Sequence, residues 1–247
     1  MKNRGNLLLS IVIIHYNRVE HLKSTISSLS RVVGYNNFEI IVADDFSERP
    51  IRQQLLDIKC DLAVFNYSNR GLGFNTNNAL KLCRGQYILQ LQDDWDFCGF
   101  ETVLLESIEL FKKDASIELV RFYNQKLYPT KPYNNKNYVI IDRDQLIEQQ
   151  HKTLYSDTPH LKSNNFHNKY GFFKEGVPMT EMEIEFATNF AKYSSGSIIF
   201  SASDQFVHTG ADNSFNPSKK KTRIYKKLSR VHLLKKIMDL YFHNKNK

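Results

Sequence analysis

The sequence predicts an α/β fold in which a mostly parallel central sheet is flanked by helices, and three observations carry that expectation. Nearly continuous apolar runs at residues 7–14 and 38–43 suit strands buried on both faces. Between them Val19, Leu22, Ile26 and Leu29 recur at helical spacing, so strand and helix alternate. Carboxylates collect where apolar runs stop: Asp44 and Asp45 after the second run, and Asp93, Asp94 and Asp96 after the run that begins at Gln86. Ligands of open α/β sheets gather at the carboxyl ends of strands.

In chain order, the first strand leads into His15-Tyr16-Asn17-Arg18, with Asn17 at the N-cap position of the first helix. A helix over residues 50–58 and a short strand over 62–65 complete a second unit. Asn69-Arg70-Gly71-Leu72-Gly73 then opens a helix that carries Asn75, Thr76, Asn77 and Asn78. Two glycines there let backbone N–H groups approach an anion, aided by the helix N-terminus; the plainer reading is a glycine turn before an amphipathic helix. The apolar run from Gln86 reads as a buried strand that ends abruptly in three aspartates, Asp93, Asp94 and Asp96. Like charges so close need a cation, and magnesium or manganese carrying a diphosphate meets that need. The alternative is a polar turn that caps the next helix.

A helix over residues 101–112, a strand over 117–123, a polar loop over 124–137 and a strand over 138–142 follow. Residues 156–169, rich in His, Asn and Ser, read as an irregular stretch and a candidate lid. Thr180 is placed as a helix N-cap with Glu183 as its capping-box partner, while Glu181 and Glu185 share another face. Acidic residues favour a first helical turn in any case, so a catalytic carboxylate here competes with a helix-end role. After a strand at 197–200, His208 is a lone histidine near a strand end, open as a metal ligand.

A chain of 247 residues, 41% hydrophobic, can bury a full core. No window reaches the roughly 18 apolar residues of a membrane span, and export is not expected. Cys60, Cys83 and Cys98 have no metal-motif spacing and read as structural thiols of a reducing compartment. The net charge of +8 is uneven: from Lys219 onward eleven Lys or Arg face one Asp, a net +10 that leaves −2 for the rest. Ile224, Leu228, Val231, Leu234, Met238 and Tyr241 form one stripe of a basic amphipathic helix in that tail. Such a helix suits an anionic membrane surface or packs on the domain. Aromatic residues are not interleaved with the charge, so a nucleic-acid-binding module is a weaker alternative and no nucleic acid is expected. A metal-dependent nucleotidyltransferase is the other alternative, but Asn17-Arg18 offers its loop one basic residue.

The order Ser10-Ile-Val-Ile-Ile-His-Tyr-Asn17, Asp44-Asp45-Phe46-Ser47, Asn69-Arg70-Gly71-Leu72-Gly73 and Asp93-Asp94-Trp95-Asp96 resembles family 2 glycosyltransferases of the GT-A, Rossmann-like fold. The resemblance implies an inverting, metal-dependent transferase using a nucleotide-sugar, a UDP-sugar foremost, and a glycan or lipid-linked acceptor. It implies a role in cell-surface polysaccharide synthesis, in the cytoplasm, with the tail at the inner face of the membrane. It divides residues 1–215 into a nucleotide-sugar part, about 1–115, and an acceptor part, about 116–215, leaving 216–247 as the tail. It places His15, Asn17, Asp44, Asp45, Asn69, Gly73, Asn77 and Asp93 at the nucleotide-sugar. Asp94 is the first metal ligand, Asp96 the second and His208 a third, for Mn2+ or Mg2+. The base is Glu183, or Glu181 if the helix start is the guide.

Overall fold

The computed structural model describes residues 7–32, 37–123, 128–151 and 153–210. The tail at 216–247, with its expected amphipathic helix, lies outside the described residues. β1 (Leu9–His15), β2 (Phe38–Asp44) and β3 (Leu62–Phe65) run parallel, and β4 (Tyr87–Gln92) joins β1 on its other side. The sheet continues through β9 (His160–Ser163), β6 (Ile117–Arg121), β10 (Ser197–Ser201), β8 (Tyr138–Ile141) and β7 (Thr130–Pro132). Only β9 and β8 run against the other strands, so the mostly parallel sheet is as expected. A separate ribbon pairs β5 (Trp95–Phe97) with β11 (Phe206–His208).

The apolar runs bury both faces because helices cover both. Ile11, Ile13, Val42, Leu89 and Leu91 pack with α1 (Val19–Leu29), α2 (Arg49–Leu55) and α4 (Val103–Lys113). Val12, Ile14, Ile41 and Ile88 pack with α3 (Leu72–Leu80), α6 (Phe166–Tyr170) and α7 (Met179–Tyr193). The chain therefore places α1 and α3 on opposite faces as it leaves β1 in one direction and reaches β4 in the other. That reversal makes the carboxyl ends of β1 and β4 a topological switch point, the place where open α/β sheets form a ligand crevice.

Three local expectations change. Asn17 is not the N-cap of α1; Arg18 holds that position, and Asn17 adopts φ 55° so that its Oδ1 accepts the Glu48 N–H at 2.7 Å. An Asn side chain tolerates this left-handed geometry by bonding locally. Helix α7 starts at Met179 after Pro178, so Thr180 lies inside the helix and the capping box is not made. Residues 156–169 are no lid: β9 occupies the centre of the sheet between β4 and β6. The polar composition disguised a core strand whose Lys162 and His160 are fully buried. The loop at 124–137 likewise contains the short edge strand β7.

Candidate active site at the carboxyl ends of the strands

In-register pairing sets His15 beside Asp44, and β4 delivers Asp93 and Asp94 to the adjoining position. His15 Nδ1 donates to Asp93 Oδ2 at 2.7 Å, and the Tyr16 N–H reaches the same oxygen at 3.3 Å. Arg18 bridges the pair of aspartates, one guanidinium nitrogen on Asp93 and another on Asp94. His208 Nε2 donates to Asp94 Oδ2 at 3.0 Å, bringing β11 onto the strand tip. Thr209 N–H closes the contact by donating to the Asp94 carbonyl at 2.9 Å. Two nearly buried carboxylates are thus held together by one guanidinium and two imidazoles, which offsets their repulsion.

Asp94 Oδ1 is buried and has no hydrogen-bond partner. A free carboxylate oxygen beside an imidazole fits a divalent cation that takes its remaining ligands from a diphosphate. Asp96 faces elsewhere. The pleat turns Trp95 and Phe97 into the core and Asp96 to α1, where Oδ2 accepts from Ser24 Oγ at 2.6 Å and Oδ1 from Thr25 Oγ1 at 3.2 Å. Among the described residues no group of three His, Cys, Asp or Glu side chains is arranged around a common ion position.

The carboxylates at the β2 tip serve the loops around the crevice. Asp44 Oδ2 accepts the Ser47 N–H at 3.0 Å and lies 3.9 Å from Arg52 Nε. Asp45 accepts the N–H groups of Arg70 and Gly71 at 2.9 and 2.8 Å, with Asn66 Nδ2 at 3.0 Å. The backbone donors expected to meet a ligand anion are held by this internal carboxylate. Gly71 adopts φ +84°, which a glycine supplies without strain. A Cβ on Gly73 would sit 2.4 Å from the Lys174 carbonyl, so glycine there lets α3 approach the segment before α7. Asn77 fastens the same segment, bonding the Phe173 carbonyl and Glu175 at 2.9 Å and accepting the Phe173 N–H at 3.0 Å. Asn69 is exposed in the loop before them.

On α7, Glu181 and Glu185 are shared by Lys174, at 3.3 and 2.9 Å. Glu183 turns inward, and its Oε1 accepts the Asp157 N–H at 3.3 Å. Burial raises the Glu183 pKa, against the lowering effects of that N–H and of Arg121. Asp157 is pushed up to about 8 by burial and by Glu183, with Lys162 pulling the other way. Burial in turn brings Lys162 down to about 7. Gln90 ties these groups to β4: its Nε2 donates to Asp157 Oδ1 at 3.2 Å and its Oε1 accepts from Lys162 at 2.7 Å. Asp93 lies three positions beyond Gln90, about 10 Å along an extended chain.

Sequence reasoning missed Arg18, Gln90, Asp157 and Lys162 as parts of this arrangement. Gln90 left a signal, a polar side chain between two core leucines; Asp157 and Lys162, in a stretch read as loop, left none.

Chondroitin synthase of Escherichia coli is 30% identical over 124 residues, 49% of this chain and 18% of that protein. The uncharacterized glycosyltransferase YfnE of Bacillus subtilis (strain 168) is 25% identical over 122 residues, 48% of this chain and 31% of its own length. The chain thus spans less than a third of either relative. Among solved structures, S. aureus TarS 1-349 with UDP-GlcNAc aligns with a TM-score of 0.62 at 18% identity, covering 84% of this chain and 62% of that one. Mannosyltransferase PcManGT from Pyrobaculum calidifontis, solved with GDP-Man and Mn2+, aligns at 0.59 and 12% identity, covering 86% and 59%. These likenesses establish the GT-A fold that the four motifs suggested. The sequence model of Glycosyl transferase family 2 matches residues 10–174, a span that contains the crevice, both aspartate-tipped strands and the glycine turn, and the chain belongs to that family.

Proposed function

We propose that this chain is an inverting glycosyltransferase that moves a sugar from a nucleotide-sugar, a UDP-sugar foremost, to a hydroxyl of a glycan or lipid-linked acceptor in cell-surface polysaccharide synthesis. The observation that carries this reading is the His15–Asp93–Arg18–Asp94–His208 cluster at the crevice of a family 2 chain. It is supported by the donors named with the neighbouring structures, UDP-GlcNAc and GDP-Man, and by a relative named for making chondroitin. Asp94 and His208 are the side chains that would hold Mn2+ or Mg2+, an ion also present with GDP-Man in the mannosyltransferase structure. When bound, such an ion supplies positive charge against the departing diphosphate.

The chain's own groups do the rest. His15 and Arg18 fix the two aspartates, leaving Asp94 Oδ1 as a buried oxygen without a hydrogen-bond partner. Glu183 accepts the proton of the acceptor hydroxyl as its oxygen bonds to the anomeric carbon. The bond from that carbon to the diphosphate oxygen breaks on the opposite face, the nucleotide leaves with the electron pair, and the anomeric configuration inverts. Tail residues 216–247, with their apolar stripe flanked by lysines and arginines, bring the enzyme to the inner leaflet. Co-sedimentation with anionic vesicles that is lost on removing residues 216–247 supports that placement; sedimentation unchanged by removal overturns it.

Calorimetric titration with a panel of nucleoside diphosphates, with and without Mn2+, tests the reading. Metal-dependent binding of one diphosphate, lost in Asp94→Ala, is the expected result. No binding of any diphosphate under either condition overturns it.

A further inference from the structure

The half-buried Glu183 of α7 meets the main chain of the buried Asp157, just before the central strand β9. Glu183 Oε1 accepts the Asp157 main-chain N–H at 3.3 Å, and the Asp157 side chain is itself buried, its Oδ1 held by Gln90 and its Oδ2 without a partner. The cations facing the pair are Lys162 from β9 and Arg121 from β6. Neither forms an ion pair with it among the described residues. Lys162 Nζ is taken up by Gln90, His160, His167 and Tyr155 at 2.7–3.3 Å, and Arg121 by Thr158 Oγ1 at 3.2 Å and by the Ser156 hydroxyl. Adjacent carboxyl groups in a site of low dielectric cannot both ionise freely, and such a pair titrates as a unit.

We propose that Asp157 is a positioning residue for Glu183: its N–H fixes Oε1, and its immobilised carboxyl group shares the proton of the pair, so that the pair sets the acid–base behaviour of transfer. This rests on Glu183 being the base. The active form carries one proton between the two groups. Loss of the first proton frees Glu183 to accept the acceptor's proton, so kcat rises. Loss of the second leaves two carboxylates that repel one another and drive Glu183 from its N–H, so kcat falls. The upward displacement of Asp157 to about 8 agrees with a second loss on the alkaline side of neutrality.

The experiment is the kcat–pH profile of wild type, Asp157→Asn and Glu183→Gln. Asparagine keeps the main-chain N–H and the bond to Gln90 through its oxygen but cannot ionise. The expected Asp157→Asn enzyme has a neutral-pH kcat within a few-fold of wild type, an unchanged donor KM and no alkaline fall. Superimposable profiles of Asp157→Asn and wild type overturn the proposal and leave the base assignment standing. A folded Asp157→Asn enzyme inactive at every pH also overturns it, since Asp157 would then be the base. Full activity in Glu183→Gln overturns the base assignment instead. If the asparagine variant does not fold, the wild-type profile decides: an alkaline limb is required, and its absence overturns the proposal.

Discussion

The chain carries two pairs of carboxyl groups, Asp93 with Asp94 at the tip of β4 and the buried Asp157 with the half-buried Glu183 near Gln90 of the same strand, and their surroundings differ. Asp93 and Asp94 are clasped by a guanidinium and two imidazoles, whereas Asp157 and Glu183 have a single main-chain N–H and a glutamine amide between them and the nearest cations. The first arrangement surrounds its carboxyl groups with a guanidinium and imidazole donors, and the second is chiefly desolvated. In the proposed mechanism the first serves charge recognition and the second proton transfer.

The largest test of this contrast is Asp94→Ala. It removes the oxygen proposed to hold the cation, and transfer should fall on the order of 1,000-fold in kcat/KM while the fold persists. Steady-state kinetics alongside circular dichroism checks both halves. Next, Arg18→Met strips the guanidinium from both aspartates and should cost about 3 kcal/mol, as expected when one partner of a buried pair is lost. Thermal unfolding with and without Mn2+ sharpens the point: a cation able to replace Arg18 should restore part of the loss. Glu183→Gln should lower kcat roughly 100-fold with little change in donor KM, since a carboxamide occupies the space without accepting the proton.

The smallest effect is in stability against pH. The Asp157 carboxyl has its pKa raised from 3.8 to about 8, so the folded chain binds more protons than the unfolded one within that window. Wild-type stability therefore loses ground as pH rises through it, and Asp157→Asn lacks this loss. The melting temperature of the variant minus that of wild type should climb between those pH values. Lys162, brought down to about 7 by burial with Asp157 pulling it up, acts in the opposite sense between there and its ordinary 10.5, and loses that support in Asp157→Asn, so the difference is read below pH 7. A flat difference would show that Asp157 ionises alike in both states.

The N-terminal part of the sheet was legible because its strands are largely apolar and their tips carry the charge, so periodicity and chemistry change at the same residue. The limits of β3 are those expected, and β1, β2 and β4 differ by only one or two residues at an end. The C-terminal part of the sheet hid its central strand. His160-Leu161-Lys162-Ser163 is polar by composition, and only the neighbours that satisfy Lys162 in three dimensions permit its burial. Asp45 was misleading in another way. A carboxylate that holds the glycine turn and one awaiting a ligand look alike until the Arg70 and Gly71 N–H groups are found on it.

Trp95 is the one tryptophan in the chain. Its indole stacks on the His208 ring at 4.7 Å between centroids and meets Tyr123 edge-on at 4.8 Å. His208 is the same imidazole that bonds Asp94. The protein therefore contains its own optical probe: any ligand that draws His208 from the indole, or changes its charge, alters quenching of a single emitter. Occupancy of the crevice can be followed by the chain's native fluorescence, without a label and with no background from a second tryptophan.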